Sequence, residues 1–210
     1  MPATCAICAS RRPKRFCPAL RSDICPQCCG QEREETLACP LDCSFLRQGR
    51  EHEKLRELSA DQIPHPEIQI PNTFLRDHEF LALTVAAAFA EAVNRIDGLI
   101  DNDCREALSS LVQTYKTLGS GLIYEAKPNN PISAALYELI QLRVTEMRQR
   151  LHQQTGLQQI LDSHVLGVLI FYQRMELQLN NGRRRSRSFL DGVLGFAPAP
   201  EPLSNSPRIS

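Results

Sequence analysis

Eight of the nine cysteines fall between residues 5 and 43, as Cys5-x2-Cys8, Cys17, Cys25-x2-Cys28-Cys29 and Cys39-x3-Cys43. Thiolate is a soft ligand suited to zinc, and a Cys-x2-Cys turn aims two sulfurs at one ion. Cys5, Cys8, Cys25 and Cys28 give C-x2-C-x16-C-x2-C, the spacing of a four-thiolate zinc site. Pro26 and Gly30 make a tight turn easy around the second pair. Cys17, Cys29, Cys39 and Cys43 remain, and eight thiols make two tetrahedral sites, so the cofactor reading is two zinc ions. The partition stays open, because Cys25 and Cys28 can instead join Cys39 and Cys43. Pro40 is expected to open a helix with Cys39 and Cys43 on one face, where the helix dipole lowers thiol pKa.

Other uses of these thiols rank lower. Disulfides belong to exported chains, and the segment MPATCAICASRRPKRFC carries no apolar signal run. An iron–sulfur cluster would suit the ligands, but the compact C-x2-C-x2-C-x3-C-P run is absent. A module of this size with few large hydrophobes buries too little apolar surface to fold unaided. Zinc binding can supply ~10–16 kcal/mol to such a fold. Cys104 stands alone among helical residues and reads as a small buried residue.

In the order of its pairs the module resembles the cross-brace fingers of the MYND and HIT families. That likeness spans residues 5 to 43 and implies an interaction module. Those families close their second site with a histidine, whereas here His52 lies nine residues after Cys43. A treble-clef finger, built from a turn and a helix start, fits the same residues as an alternative.

The elements around the cysteines divide the chain by composition. Residues 1–58 form the metal-binding module. Residues 59–72, SADQIPHPEIQIPN, hold three prolines and are expected to run extended as a linker. Residues 73–180 show helical periodicity, and 181–210 form a basic segment and a largely disordered tail. The fold class is mainly α: an antiparallel four-helix bundle preceded by the small cysteine-rich finger. A first helix, capped by Asn72 or Thr73, places Phe74, His78, Leu81, Val85, Phe89, Val93 and Ile96 on one stripe. A second starts with Asp103 as cap and Glu106 completing a capping box, with a stripe from Leu108 to Leu122. Asn130-Pro131 opens a third, with Leu136, Ile140, Val144 and Met147 inward. After Thr155-Gly156 a fourth carries Leu161, Val165, Val168 and Tyr172.

Formal net charge is +0 and the pI about 6.9, so no global field steers the chain to nucleic acid or membrane. The apolar stretch from Phe80 to Ala90 is far shorter than the ~18 residues of a membrane span. The expected setting is cytoplasmic. Arg11, Arg12, Lys14 and Arg15 are read as balancing thiolate charge or as solvated surface, ahead of a phosphate-contacting loop. Arg183, Arg184, Arg185 and Arg187 are candidates for contact with an anion or nucleic acid. Phe189, Leu190 and Val193 come closely enough after them to dock that stretch on the bundle. No nucleophile motif, phosphate loop or HExxH occurs, and His78, His152 and His164 lack the Glu-x-x-His spacing of di-iron sites. Glu125, Lys127 and Asn129 are the polar residues on which an enzymatic alternative would rest. The leading function is a non-enzymatic zinc protein that binds another protein. Its alternatives are a thiol redox sensor that releases zinc on oxidation and a nucleic-acid-binding zinc protein.

Overall fold

Two apolar clusters organise the chain, one around the cysteines and one among the long helices. The computed structural model describes residues 4–71, 73–121, 125–156 and 160–198. Asn72, Leu122 and the end of the C-terminal tail lie outside the described residues. Among the described residues the protein is mostly helical, with eight α-helices and one two-stranded sheet. In chain order these are β1 (Arg15–Cys17), β2 (Ser22–Ile24), α1 (Pro26–Glu32), α2 (Ser44–Arg50), α3 (Phe74–Asp77), α4 (Glu79–Arg95), α5 (Asp101–Gly119), α6 (Pro131–Thr155), α7 (Asp162–Leu179) and α8 (Ser188–Leu194).

The helical cluster is built from the apolar stripes. Leu81, Val85 and Phe89 of α4, Leu108 and Leu111 of α5, Leu136 and Ile140 of α6, and Val165 and Val168 of α7 are buried. Ala86, Ala88, Ala90 and Ala92 are buried too, and their small side chains let other helices come close to α4. α5 packs on α7 and α6, and α4 packs on α6 and α8. Gly167 is required where the Phe74 ring crosses α7, since a Cβ there would lie 2.4 Å from the ring. Among the described residues no helix is long and apolar enough to cross a membrane.

Local signals place α6 as expected. The Asn130 side chain accepts the Ile132 N–H at 3.0 Å, Pro131 takes the first turn, and Gly156 ends the helix with φ +70°. Three expectations need correcting. The first predicted helix breaks at His78, whose φ of −122° leaves the helical region, so α3 and α4 are separate. The second begins at Asp101 rather than Asp103. Asp103 sits inside the first turn and reaches back to accept the Ile100 N–H at 3.1 Å. Residues 59–72 are not simply extended: a short 3-10 turn covers Ala60–Gln62. The Arg174 guanidinium then holds that stretch on α7 by donating to the carbonyls of Pro64, His65 and Ile68.

Asp101 has a different task. Its buried carboxylate accepts the Ser186 hydroxyl at 2.6 Å and the N–H groups of Phe189 and Leu190 at 3.1 and 3.2 Å. It thereby caps α8 from the start of α5 and seats Phe189, Leu190 and Val193 in the core.

Glu91 joins α4 to α6 through Arg143 and also pairs with Arg95. Burial raises its carboxyl pKa, but these two guanidinium groups outweigh it and hold the value below 4.5. A depressed folded pKa gives stability that is present above the unfolded value and lost as pH falls through the folded one. Glu91→Gln should therefore lower stability at pH 7 by on the order of 1 kcal/mol. In urea titrations the gap to the wild type should close below pH 4.5.

Candidate metal centre

Cys5 and Cys8 bracket a turn in which the Ala9 N–H donates to the Cys5 carbonyl at 2.8 Å and Ala9 adopts φ +52°. The Cys5 N–H donates to the Arg11 carbonyl, and Ala6 N–H to Asp23, fastening this turn to the hairpin. The hairpin pairs Arg15 with Ile24 and Cys17 with Ser22. It delivers the chain to Cys25, the cap residue of α1, whose sulfur accepts the Cys28 N–H at 3.4 Å. The Cys25 N–H donates in turn to the Cys5 sulfur at 3.2 Å.

These contacts bring the sulfurs of Cys5, Cys8, Cys25 and Cys28 within 4.8 Å of one another. Zn–S bonds of ~2.3 Å in a tetrahedron set sulfur–sulfur distances of roughly 3.8 Å, so a small inward movement closes the site. The structure thus pairs Cys25 and Cys28 with Cys5 and Cys8, and not with Cys39 and Cys43.

The electrostatics fit a cation. The hydroxyl and N–H of Ser10, with the Arg11 N–H, lower the Cys8 thiol to about 5. Burial works to raise Cys5, but the N–H groups of Cys8, Cys25 and Ile7 win and lower it. Cys28 goes the other way, to about 12, through burial and then the crowding of the Cys25, Cys8 and Cys5 sulfurs. A dication among the four sulfurs would favour their thiolate forms.

The other four thiols, Cys17 at the end of β1, Cys29 in α1, and Cys39 and Cys43 on either side of a turn, line one small cavity. No three of them lie as close together as the first quartet. Burial raises the Cys39 thiol pKa, the Glu34 N–H opposes it, and the nearby Cys43, Glu34 and Cys17 charges push it further up. The helix expected from Pro40 does not form. Residues 40–43 make a turn closed by the Cys43 N–H on the Pro40 carbonyl, and α2 starts only at Ser44. Cys39 therefore gains nothing from a helix dipole.

Arg11 donates to the Cys25 sulfur at 3.6 Å, and Arg15 lies 4.7 Å over the Phe45 ring. Arg183 donates to the carbonyls of Gly30 and Arg33, and the backbone N–H groups of Arg185 and Arg187 donate to Glu34. The basic segment is thus packed between the cysteine-rich module and the helices, although the Arg184 and Arg185 residues remain exposed. Cys104 is fully buried, with its thiol pushed well up by burial. His78 stacks on His164 at 4.2 Å, and His152 is exposed. Lys127 pairs with Glu125 and Glu138.

Glu34 escaped the sequence reading. It is fully buried, and it carries nothing in its Glu-Arg-Glu-Glu surroundings to distinguish it from surface charge. Its carboxylate accepts Arg50 at 2.7 Å, Asn181 at 2.9 Å and the Arg187 N–H at 2.9 Å. Arg50 continues to Asp191 of α8 at 2.6 Å.

No family model matches the chain, and neither does any curated protein or solved structure. The likeness to cross-brace fingers therefore rests on cysteine order alone.

Groups that steady a metal's ligands typically change its affinity 10- to 100-fold when removed. Arg11→Ala should weaken zinc binding about tenfold in competition with a chromophoric chelator. Arg12→Ala, at an exposed neighbour, should leave it unchanged.

Proposed function

We propose that this is a non-enzymatic zinc protein whose finger, holding two zinc ions, and whose helices together form a surface for another protein. The observation that carries the reading is the gathering of Cys5, Cys8, Cys25 and Cys28 within 4.8 Å. Four thiolates close a site and leave no position for water, so the metal is structural rather than catalytic. A Cys-x2-Cys turn, a hairpin and a helix carrying the second pair at its start favour a treble-clef finger. The interleaving of the two quartets along the chain supports crossed sites as well. We read α4 to α7 as an antiparallel four-helix bundle, with α8 packed on it.

The absence of any charge excess ranks a protein partner above nucleic acid. The engagement of Arg183 and Arg187 with Gly30, Arg33 and Glu34 points the same way. A cytoplasmic setting suits reduced thiols.

The redox-sensor reading keeps one specific support. Cys28 and Cys29 are consecutive yet belong to different quartets, and Cys8, Cys29 and Cys43 are half-exposed. Oxidation of either neighbour would strip a ligand from its site.

Elemental analysis of reduced protein should give about two zinc ions per chain, unchanged in Cys104→Ser. Iron with visible absorption, or no metal at all, would overturn the reading. Peroxide that releases zinc stoichiometrically, with reversal by reductant, would promote the sensor. In fluorescence anisotropy, mixed-sequence DNA and RNA should bind no tighter than the ~10⁻⁴–10⁻⁶ M of non-specific contacts.

A further inference from the structure

The second quartet sits against the joint between finger and helices. We propose that Cys17, Cys29, Cys39 and Cys43 hold the second zinc ion, and that this ion fixes the joint by which the finger docks on the helices. The proposal rests on the reading of the module as a zinc finger, and adds to it a location and a role.

Geometry supports the location. The four cysteines come from three separate stretches: β1, α1 and the turn before α2. They surround one cavity of about 10 Å³, otherwise lined by apolar side chains such as Ile24, Leu37, Phe45 and Leu46 and by Arg33. That is room for a single small species. The lining offers no carboxylate or imidazole, so a thiophilic cation fits it and a hard one such as Mg²⁺ does not.

The turn gives a second reason. The backbone N–H groups of Cys39 and Cys43 donate only within their own segment, to Leu37 and Pro40. Arg47 returns to the Asp42 carbonyl, which is again local. Ligation of Cys39 and Cys43 to an ion shared with Cys17 and Cys29 is the bond that would tie this turn to the hairpin and α1.

The role comes from the groups that adjoin each ligand. From Cys29 the chain runs through Gly30 and Arg33, whose carbonyls take the Arg183 guanidinium. Next comes Glu34 with φ +53°, whose carboxylate gathers Arg50, Asn181 and the Arg187 N–H. From Cys43 the chain enters α2, whose Arg50 bridges Glu34 to Asp191. Both ligand-bearing segments therefore end in the same buried contact. In the first quartet Cys28 precedes Cys29 in α1, whereas Cys5 lies in the turn fastened to Arg11 and Asp23. Because the second set is more widely spread, with Cys29 and Cys43 half-exposed, its ion should leave first.

The test uses the full chain. Zinc is counted by elemental analysis, and hydrogen exchange is followed at the amides of Arg185 and Arg187, which donate to Glu34. Cys39→Ser/Cys43→Ser should fall from two zinc ions to one, with at least about tenfold faster exchange at those amides and helical circular dichroism retained. Cys43→His, which keeps a ligand, should restore both ion and protection. In wild-type protein, chelator should remove one zinc before the other, and joint protection should vanish with that first ion. A double variant that retains two ions, or loses both together, overturns the location. Loss of one ion with unchanged exchange at Arg185 and Arg187 overturns the role. Wild-type protein without zinc overturns the underlying reading instead.

Discussion

A carboxylate removed from water must find donors for its oxygens, because an unpaired buried charge is far too costly to keep. Glu34 meets this demand with groups from both halves of the molecule: Arg50 from α2, and Asn181 and the Arg187 N–H from the segment after α7. Its carbonyl takes the Arg185 N–H as well. Separation of the cysteine-rich module from the helices would leave a charge and several polar groups unmatched, so the contact favours one relative placement. Asp101 repeats the device on the helical side by capping α8 across the chain. Two buried acids thus hold the C-terminal segment from opposite ends.

The cysteine-rich half answers a different constraint. Its apolar cluster contains few residues beyond Ile24, Leu37, Leu46 and the cysteines themselves, too little to order more than 40 residues unaided. Backbone N–H groups hold the Cys5 and Cys25 sulfurs in place; burial and the crowding of the sulfurs raise Cys28, while Ser10 and the Arg11 N–H lower Cys8. A cation bound there would resolve the repulsion and supply the cohesion that apolar burial does not. Arg11, which donates to the Cys25 sulfur, would offset part of the negative charge of the thiolates.

Much of the helical body was legible because its signals are local. Asn130-Pro131 and Gly156 act within a single turn, and the stripe from Leu81 to Phe89 arises from helical spacing alone. Errors arose where a local signal met a distant partner. Asp103 looked like a cap, yet Asp101 begins α5 because its own N–H donates to the Ser186 carbonyl at 2.8 Å. Pro40 looked like a helix start, but the chain must turn there before α2 can form. The docking of the arginine segment was legible too, because Phe189, Leu190 and Val193 follow it closely and are buried.

The sequence by itself determined the candidate ligand chemistry, eight clustered thiols of which six fall in the short pairs Cys5/Cys8, Cys25/Cys28 and Cys39/Cys43, and the helical character of residues 73–180. Those depend on residue type and on spacings of a few residues. Tertiary structure decided which thiols meet, since Cys5 and Cys25 are brought together by a hairpin whose register no cysteine spacing states. It also decided that Glu34 is the joint, because its partner Asn181 lies 147 residues away. A charge reads the same on the surface and in the interior, and only the fold around it determines which it is.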